Sequence, residues 1–258
     1  MVKHNVLRNV FHIICIIFGI RFYNLKVLQR HSKMIWFCIC QLYLFYMIFT
    51  ALLILSTFNI YFYEKLNLRL SLQVFQTCVP LVIMGYVLVQ AFLQQQEVQK
   101  LNLKTLSVNK KLLNFVEFDP EPKSLYLIFF KNILILILSK ALKMVLMNDD
   151  NFKLQYAAAT FIPETICSAN MLLFVFHVQL VSNQMKALNS YLKSISKINY
   201  QKLKQIKKIS LHFLQSSNQI NYCFSTTLLL SITFDFISLV ISLYWLFVRI
   251  AFHHLTSE

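Results

Sequence analysis

The sequence predicts an all-α fold, in the form of a polytopic bundle of transmembrane helices. Hydrophobic residues make up 57% of the 258 residues, and the mean hydropathy is +0.58. An average soluble domain has roughly 45 to 50% apolar residues. The chain has only 2 glycines and 4 prolines beside 24 phenylalanines and 12 tyrosines, so the frequent turns of a β-rich protein are missing. Together these features exclude an ordinary soluble globule.

Five charge-poor windows are predicted as membrane spans, because each is long enough to cross a hydrocarbon layer of about 30 Å as a helix. The third window is the weakest, since Lys131, Lys140 and Lys143 leave only residues 132–139 free of charge. Lysines near the ends of a span can still reach the headgroups. The windows are 34–62, 72–93, 125–147, 156–180 and 221–248.

The N-terminal segment has a basic start and an apolar run from Val10 to Ile20, which is similar to a signal peptide. The run ends in Gly-Ile-Arg-Phe and lacks a small-x-small cleavage site. An apolar run of this length beside a membrane is typical of an interfacial or re-entrant segment. We therefore expect a short apolar helix here.

The Lys and Arg residues behind the net charge of +15 are concentrated in alternate connections between the predicted spans, a pattern that indicates membrane topology. Residues 1–33, 94–124 and 181–220 hold six, five and seven Lys and Arg, whereas the two other connections and the tail hold two, one and one. By the positive-inside rule the N-terminus and the two longer loops are cytoplasmic. Because the basic residues lie between apolar spans, a nucleic-acid partner is not expected.

The sequence shows no pattern of an enzyme, a metal site or a cofactor site. It has no Gly-rich phosphate loop and no H-E-x-x-H or G-x-S-x-G motif. All six cysteines lie in apolar stretches, and Cys38-x-Cys40 lacks the spacing of a zinc or redox pair. His253 and His254 lack a third ligand nearby, so no metal is assigned.

The loop from 181 to 220 contains seven lysines and no acidic residue. Its apolar residues recur at intervals of three to four, which predicts amphipathic helices. One interpretation is a helical hairpin that extends the fourth and fifth spans into the cytoplasm. The other is a basic helix that lies on anionic lipid.

Three charged residues inside the spans are unusual. Asp235 lies at the centre of the fifth span, where a carboxylate costs about 2.5 to 3.5 kcal/mol and normally faces the bundle or a wet cavity. A packing hydrogen bond and a water-filled path both explain it. Glu164 lies eight residues below Tyr156 and Lys140 seven residues below Met147, or about 12 and 10 Å. We expect Lys140 and Glu164 to pair across the third and fourth spans.

Further polar residues gather in the outer half of the second and fourth spans. Gln73, Gln76 and Thr77 precede Pro80, and Gly85 follows; a proline and a glycine in one span permit a bend. With Tyr156 and Thr160 they make a mixed aromatic and polar surface of the kind that binds small molecules. Ordinary interhelical hydrogen bonding explains the same residues. The predicted ligand-binding residues are Gln76, Thr77, Lys140, Tyr156, Thr160 and Glu164.

The sequence resembles the insect gustatory receptors, a chemoreceptor family related to the insect odorant receptors. The resemblance is carried by the N-inside helical topology, by LNSYLKSI at 188–195, by the passage from Ser210 to Phe247 and, more loosely, by FGIRFYN at 18–24. It extends over the whole chain but is diffuse.

The resemblance implies a seven-helix subunit of the plasma membrane that detects small-molecule tastants. It also implies homo- or hetero-oligomers that gate a cation channel and are joined through cytoplasmic helices. The family's Thr-Tyr to Gln-Phe signature, in its pore-lining seventh helix, has no match here, and we expect helices six and seven to be absent. The alternative is a transporter or a non-channel membrane scaffold subunit that uses Asp235, Glu164 and Lys140 for a solute path.

Overall fold

The computed structural model describes residues 2–19, 37–52, 68–116, 123–145, 160–194 and 199–255. Every regular element within these ranges is helical, so the predicted all-α class is confirmed. The helices are α1 (Val2–Ile17), α2 (Phe37–Leu52), α3 (Leu68–Leu93), α4 (Gln95–Leu113), α5 (Lys123–Val145), α6 (Ile162–Ser194) and α7 (Tyr200–Leu255).

Two helices in the described ranges are long and apolar enough to cross a membrane. They are α6 and the Tyr200–Ile241 part of α7. The pair Cys78–Leu93 and Gln95–Leu113 makes a third candidate if it is taken as one span, although the two parts are bent by 61°. α3 continues as one helix through Pro80 and Gly85, so the large bend lies at Gln94 and not at the proline. The predicted spans on α2 and α5 stay predictions.

Helices α6 and α7 are much longer than a bilayer requires. With 33 and 56 residues they measure about 50 and 84 Å at the helical rise, against a hydrocarbon thickness of about 30 Å. Lys202 to Lys208 precede the predicted span start at Asn221 by about 20 to 28 Å. That distance exceeds the Debye length of about 8 Å at physiological salt. Both interpretations of the 181–220 segment, the hairpin and the helix on anionic lipid, stay predictions.

Polar contacts between the long helices show their relative directions. α4 and α7 are antiparallel, because Glu97 meets Gln219 at one end of their contact and Lys111 meets His212 at the other. Apolar residues fill the space between these polar pairs. They include Leu101, Val108 and Leu112 from α4 and Ile209 and Phe213 from α7, all at most 5% exposed.

Helix α6 runs antiparallel to α7 and in the same direction as α3 and α4. Asn170 of α6 bonds to Thr227 of α7, and Gln184, farther along α6, bonds to Asn109 of α4. The beginnings of α3 and α6 therefore lie at the same end of the bundle, together with the later part of α7. The ends of α4 and α6 and the beginning of α7 lie at the other end, which we call the basic end.

Helix α1 packs into the bundle through Phe11, which is 0% exposed. Its ring centroid lies 4.7 Å from that of Phe176 on α6 and 4.8 Å from that of Phe129 on α5. The opposite face of α1 presents exposed aliphatic side chains, as a helix beside lipid would. Gly19, at φ +66°, ends the segment against Leu88 of α3, where an added Cβ would come within 2.8 Å of Leu88 Cδ2. The exposed residues are Val6, Val10, Ile13 and Ile17.

Candidate functional site

The predicted ligand-binding residues on α3 and α6 fall at the end of the bundle where both helices begin. Thr160 lies two residues before α6 and is 2% exposed, and Glu164 is half-buried in the first turn. Gln76 and Thr77 lie on the α3 backbone, before Pro80. Since α3 and α6 run in the same direction, their first turns share this end. The backbone thus brings four of the six predicted residues to one region of the molecule.

The sequence explains why α6 begins where it does. Pro163 is the second residue of the helix and is buried, and its missing N–H lies where the helix has no acceptor for one. Glu164 follows in the first turn, where the helix dipole favours a negative charge. Thr165 Oγ1 donates to the Phe161 carbonyl oxygen at 2.6 Å. These features hold the partly buried carboxyl group of Glu164 at a defined place.

The positions of two predicted ligand-binding residues relative to this region are not defined. Lys140 lies on α5, but its side chain is outside what the structure describes, and Tyr156 lies outside the described residues. The predicted pair between Lys140 and Glu164 therefore stays a prediction.

Asp235 was expected to be a buried charge, and within this chain it is exposed. The neighbouring side of α7 is the one that packs, since Ser231 is 3% and Phe234 7% exposed. Asp235 is close enough to Cys167 to act on it electrostatically, which places it near the first turns of α6. The carboxylate thus belongs to the same end of the bundle as Glu164. Burial of this carboxylate requires a surface from outside the described residues.

A small polar cavity lies between α3, α6 and α7 near the bend at Gln94. It measures about 20 Å³ and is lined in part by Gln90, Gln94, Asn170 and Thr227. Asn170 Nδ2 donates to Thr227 Oγ1 at 3.1 Å, and Gln94 Nε2 donates to the Tyr222 carbonyl oxygen at 3.3 Å. Such a volume has room for about one water, whereas sites for organic ligands measure about 300 to 1,000 Å³. The cavity is therefore too small for an organic molecule.

Along the length of α4, polar side chains join this helix to α6 and α7. Gln219 Nε2 donates to the Glu97 backbone oxygen at 2.8 Å and to Glu97 Oε2 at 3.0 Å, while Lys104 Nζ donates to Gln219 Oε1 at 3.1 Å. Gln184 of α6 reaches the Thr105 carbonyl oxygen at 3.3 Å. Each of these bonds joins residues far apart in the chain, so the sequence pattern alone did not reveal them.

Two titratable groups along the α4–α7 contact have shifted pKa values. The hydrogen bond from Lys100, at 2.6 Å, is the main reason why the pKa of Glu97 is lowered from 4.5. Burial is the main reason why the pKa of His212 is lowered from 6.5, and the charges of Lys111 and Lys208 lower it further. Lysines thus contribute to both shifts.

Nothing in the described ranges suggests a metal centre. Those ranges contain no group of three or more His, Cys, Asp or Glu side chains that could hold a metal ion, and the cysteines within them are free thiols.

The fold and the charged and polar residues along its long helices define a multi-pass helical membrane protein. The family model for the 7tm chemosensory receptors matches residues 9–257. The chain therefore belongs to the 7tm chemosensory receptor family, and it is a receptor-family protein rather than an enzyme. A search of curated proteins and a search of solved structures returned no match.

Proposed function

We propose that this chain is a gustatory receptor subunit that detects small-molecule tastants. The observation that carries the proposal is the family match over residues 9–257. The gathering of polar residues at one end of the bundle supports it, since a ligand site needs a few convergent polar groups among apolar ones. In a subunit that includes the family's pore-lining helix, tastant binding would gate a cation channel. The subunit would act as a homo- or hetero-oligomer with related receptors.

The proposed topology places the N-terminus and the basic end in the cytoplasm, with the beginnings of α3 and α6 outside. The distribution of lysine and arginine supports this orientation. A cysteine reporter at the N-terminus should resist a membrane-impermeant thiol reagent in intact cells, and one in the 146–155 connection should react. The opposite labelling pattern would reverse the topology.

The proposed ligand site contains Thr160 and Glu164 of α6, with Gln76 and Thr77 of α3 and Lys140 and Tyr156 from the neighbouring segments. Thr160 is 2% exposed and Glu164 half-buried, so a bound ligand would be shielded from water. In that setting a hydrogen bond to a neutral group is worth about 0.5 to 1.5 kcal/mol and one to a charged group about 1.5 to 3 kcal/mol.

Direct binding tests the site without requiring a pore. The purified chain would be screened against sugars, bitter compounds and amino acids by thermal shift, and an active compound titrated against Thr160→Val and Glu164→Gln. We expect the Kd to rise about tenfold for Glu164→Gln and about threefold for Thr160→Val, by the same hydrogen-bond energies. Thr105→Val, at a buried threonine in the middle of α4, is the matched control. A loss of affinity in the control alone would contradict the proposed site.

A further inference from the structure

Positive groups from two helices meet along the α4–α7 contact at the basic end. Lys111 Nζ of α4 lies 3.5 Å from His212 Nε2 of α7. Lys208 lies one turn before His212 on an exposed part of α7, and Lys104 lies about two turns before Lys111 on α4. All three lysines are close enough to act on His212 electrostatically. We call Lys104, Lys111, Lys208 and His212 the seam cluster.

Within the described parts of α4, α6 and α7, negative charge is scarce beside the seam cluster. Residues 95–113, 182–194 and 199–219 together hold ten lysines and one acidic residue, Glu97. That carboxylate is already engaged by Lys100 at 2.6 Å and by Gln219 at 3.0 Å. Like charges held close together repel one another. A bound anion would relieve this repulsion.

The helices that carry the seam cluster are held in place by their packing. Leu101 and Leu112 of α4 are 0% exposed and Ile209 of α7 is 1% exposed, so an apolar contact fixes the two backbones beside each other. A preorganised site spends less free energy on ordering when a ligand binds. By contrast, Lys186, Lys193 and Lys202 are exposed and are not among the groups that act on His212.

We propose that the seam cluster is a binding site for a polyphosphate anion, held by Lys104, Lys111 and Lys208 through charge-assisted hydrogen bonds, with His212 as a proton-dependent fourth donor. Phosphate oxygens accept several such bonds at once, and ammonium groups are common phosphate binders. The ligand is either a soluble polyphosphate or the headgroup of a phosphoinositide. The site does not depend on the proposed tastant function.

The pH dependence of binding is a specific consequence of His212. Without ligand, Lys111 donates to the neutral imidazole, and burial together with Lys111, Lys208 and Lys104 lowers the pKa of His212 from 6.5. These three lysines are the charged groups that face the ring. A bound anion favours the imidazolium and so raises that pKa. Proton uptake therefore accompanies binding, and the contribution of His212 to affinity grows as the pH falls below about 6.5.

The test uses the full chain in nanodiscs of uncharged lipid, titrated with inositol hexakisphosphate. Lys208→Gln, an exposed position that should not disturb folding, is expected to weaken binding about tenfold, and Lys104→Gln with Lys111→Gln more strongly. The control Lys186→Gln/Lys193→Gln/Lys202→Gln removes three charges away from the seam and should change the Kd less than about threefold. Equal losses of affinity in the seam and control variants would overturn the proposal. It would also be overturned if the unmodified chain bound neither the soluble probe nor the lipid headgroup.

The second variant, His212→Gln, separates a proton-linked site from a simple charged surface. The phosphate groups themselves lose charge near pH 6, so the comparison is the ratio of the Kd values of the variant and the unmodified chain. This ratio should rise as the pH falls from 7.5 to 5.5. A ratio that stays constant would overturn the role of His212.

A lipid arm identifies the source of the phosphate. Nanodiscs that contain phosphatidylinositol bisphosphate should stabilise the chain against heat if the headgroup reaches the seam, and Lys208→Gln should remove that stabilisation. Binding of the soluble probe alone supports a soluble ligand, and seam-dependent stabilisation by lipid supports a headgroup. Absence of both contradicts the site.

Discussion

Gln219 shows how one side chain joins two distant parts of the chain. Its amide contacts the backbone and the carboxylate of Glu97 and accepts a hydrogen bond from Lys104. It is 9% exposed, so these bonds replace water almost completely. A buried polar group that loses its partners costs more than the bond itself contributes.

We predict that Gln219→Leu destabilises the contact between α4 and α7. Three hydrogen bonds are lost, which amounts to about 1 to 3 kcal/mol because Glu97 and Lys104 can regain some water. Thermal unfolding of the purified chain measures the effect. Asn218→Leu introduces the same side chain at the exposed neighbour and should change stability by less than about 0.5 kcal/mol. Equal effects of the two substitutions would show that Gln219 makes no special contribution.

The opposite charges of Lys140 and Glu164 give a second prediction at this scale. Lys140→Glu alone or Glu164→Lys alone should reduce surface expression or ligand response, because each places like charges together in a low-dielectric region. The double reversal should restore what the single reversals remove. A double variant as defective as either single variant would exclude the pair.

Only some of these residues could be recognised from the sequence. Thr160 and Glu164 stand out because they are polar residues in a long apolar run. The seam cluster and the cavity at Gln94 do not, because they depend on which faces of α3, α4, α6 and α7 meet. The bond from Gln94 to the Tyr222 carbonyl, for example, joins positions 128 residues apart, and the periodicity of each helix leaves its rotation undetermined.

Among the helices, α1 has a larger role than an apolar run of its length suggests. Phe11 packs on Phe176 and Phe129, so α1 holds α5 and α6 together. A hydrogen bond from Tyr43 Oη of α2 to the Ile17 carbonyl oxygen, at 2.6 Å, joins α1 to a further helix. Removal of this segment would therefore open the core.

We predict that Phe11→Ala lowers the stability of the bundle by about 3 to 5 kcal/mol, because it leaves a cavity among aromatic rings that cannot move to fill it. Ile13→Ala, on the exposed face of α1, is the control and should cost less than about 1 kcal/mol. Thermal unfolding in detergent compares the two. A Phe11→Ala effect no larger than that of Ile13→Ala would contradict the role of α1 in the core.

The continuous helices α6 and α7 follow from the spacing of apolar residues, which predicts helix on both sides of the 195–199 connection. The 61° bend at Gln94 does not follow from the sequence. Neither proline nor glycine stands there, whereas both residues that permit a bend, Pro80 and Gly85, lie inside a continuous α3. At the bend Gln94 and Glu97 contact α7, so the position of the bend coincides with tertiary contacts and not with a local signal.

At the scale of the whole molecule, the two long helices join an apolar bundle to the basic end. α6 and α7 carry both the region around Glu164 and the contacts with α4, so the two ends share rigid elements. A change at the first turns of α6 could therefore reach the basic end through α6 itself.

The measurement that tests the central claim most directly is ion current in cells that express this chain, alone and joined to the last two helices of a related receptor. The panel would hold sugars, bitter compounds and amino acids, with surface expression confirmed for both forms. We predict a tastant-gated cation current in the joined form that Glu164→Gln shifts to higher tastant concentration. Silence of both forms at the cell surface across the panel would contradict the proposal that the chain is a tastant receptor.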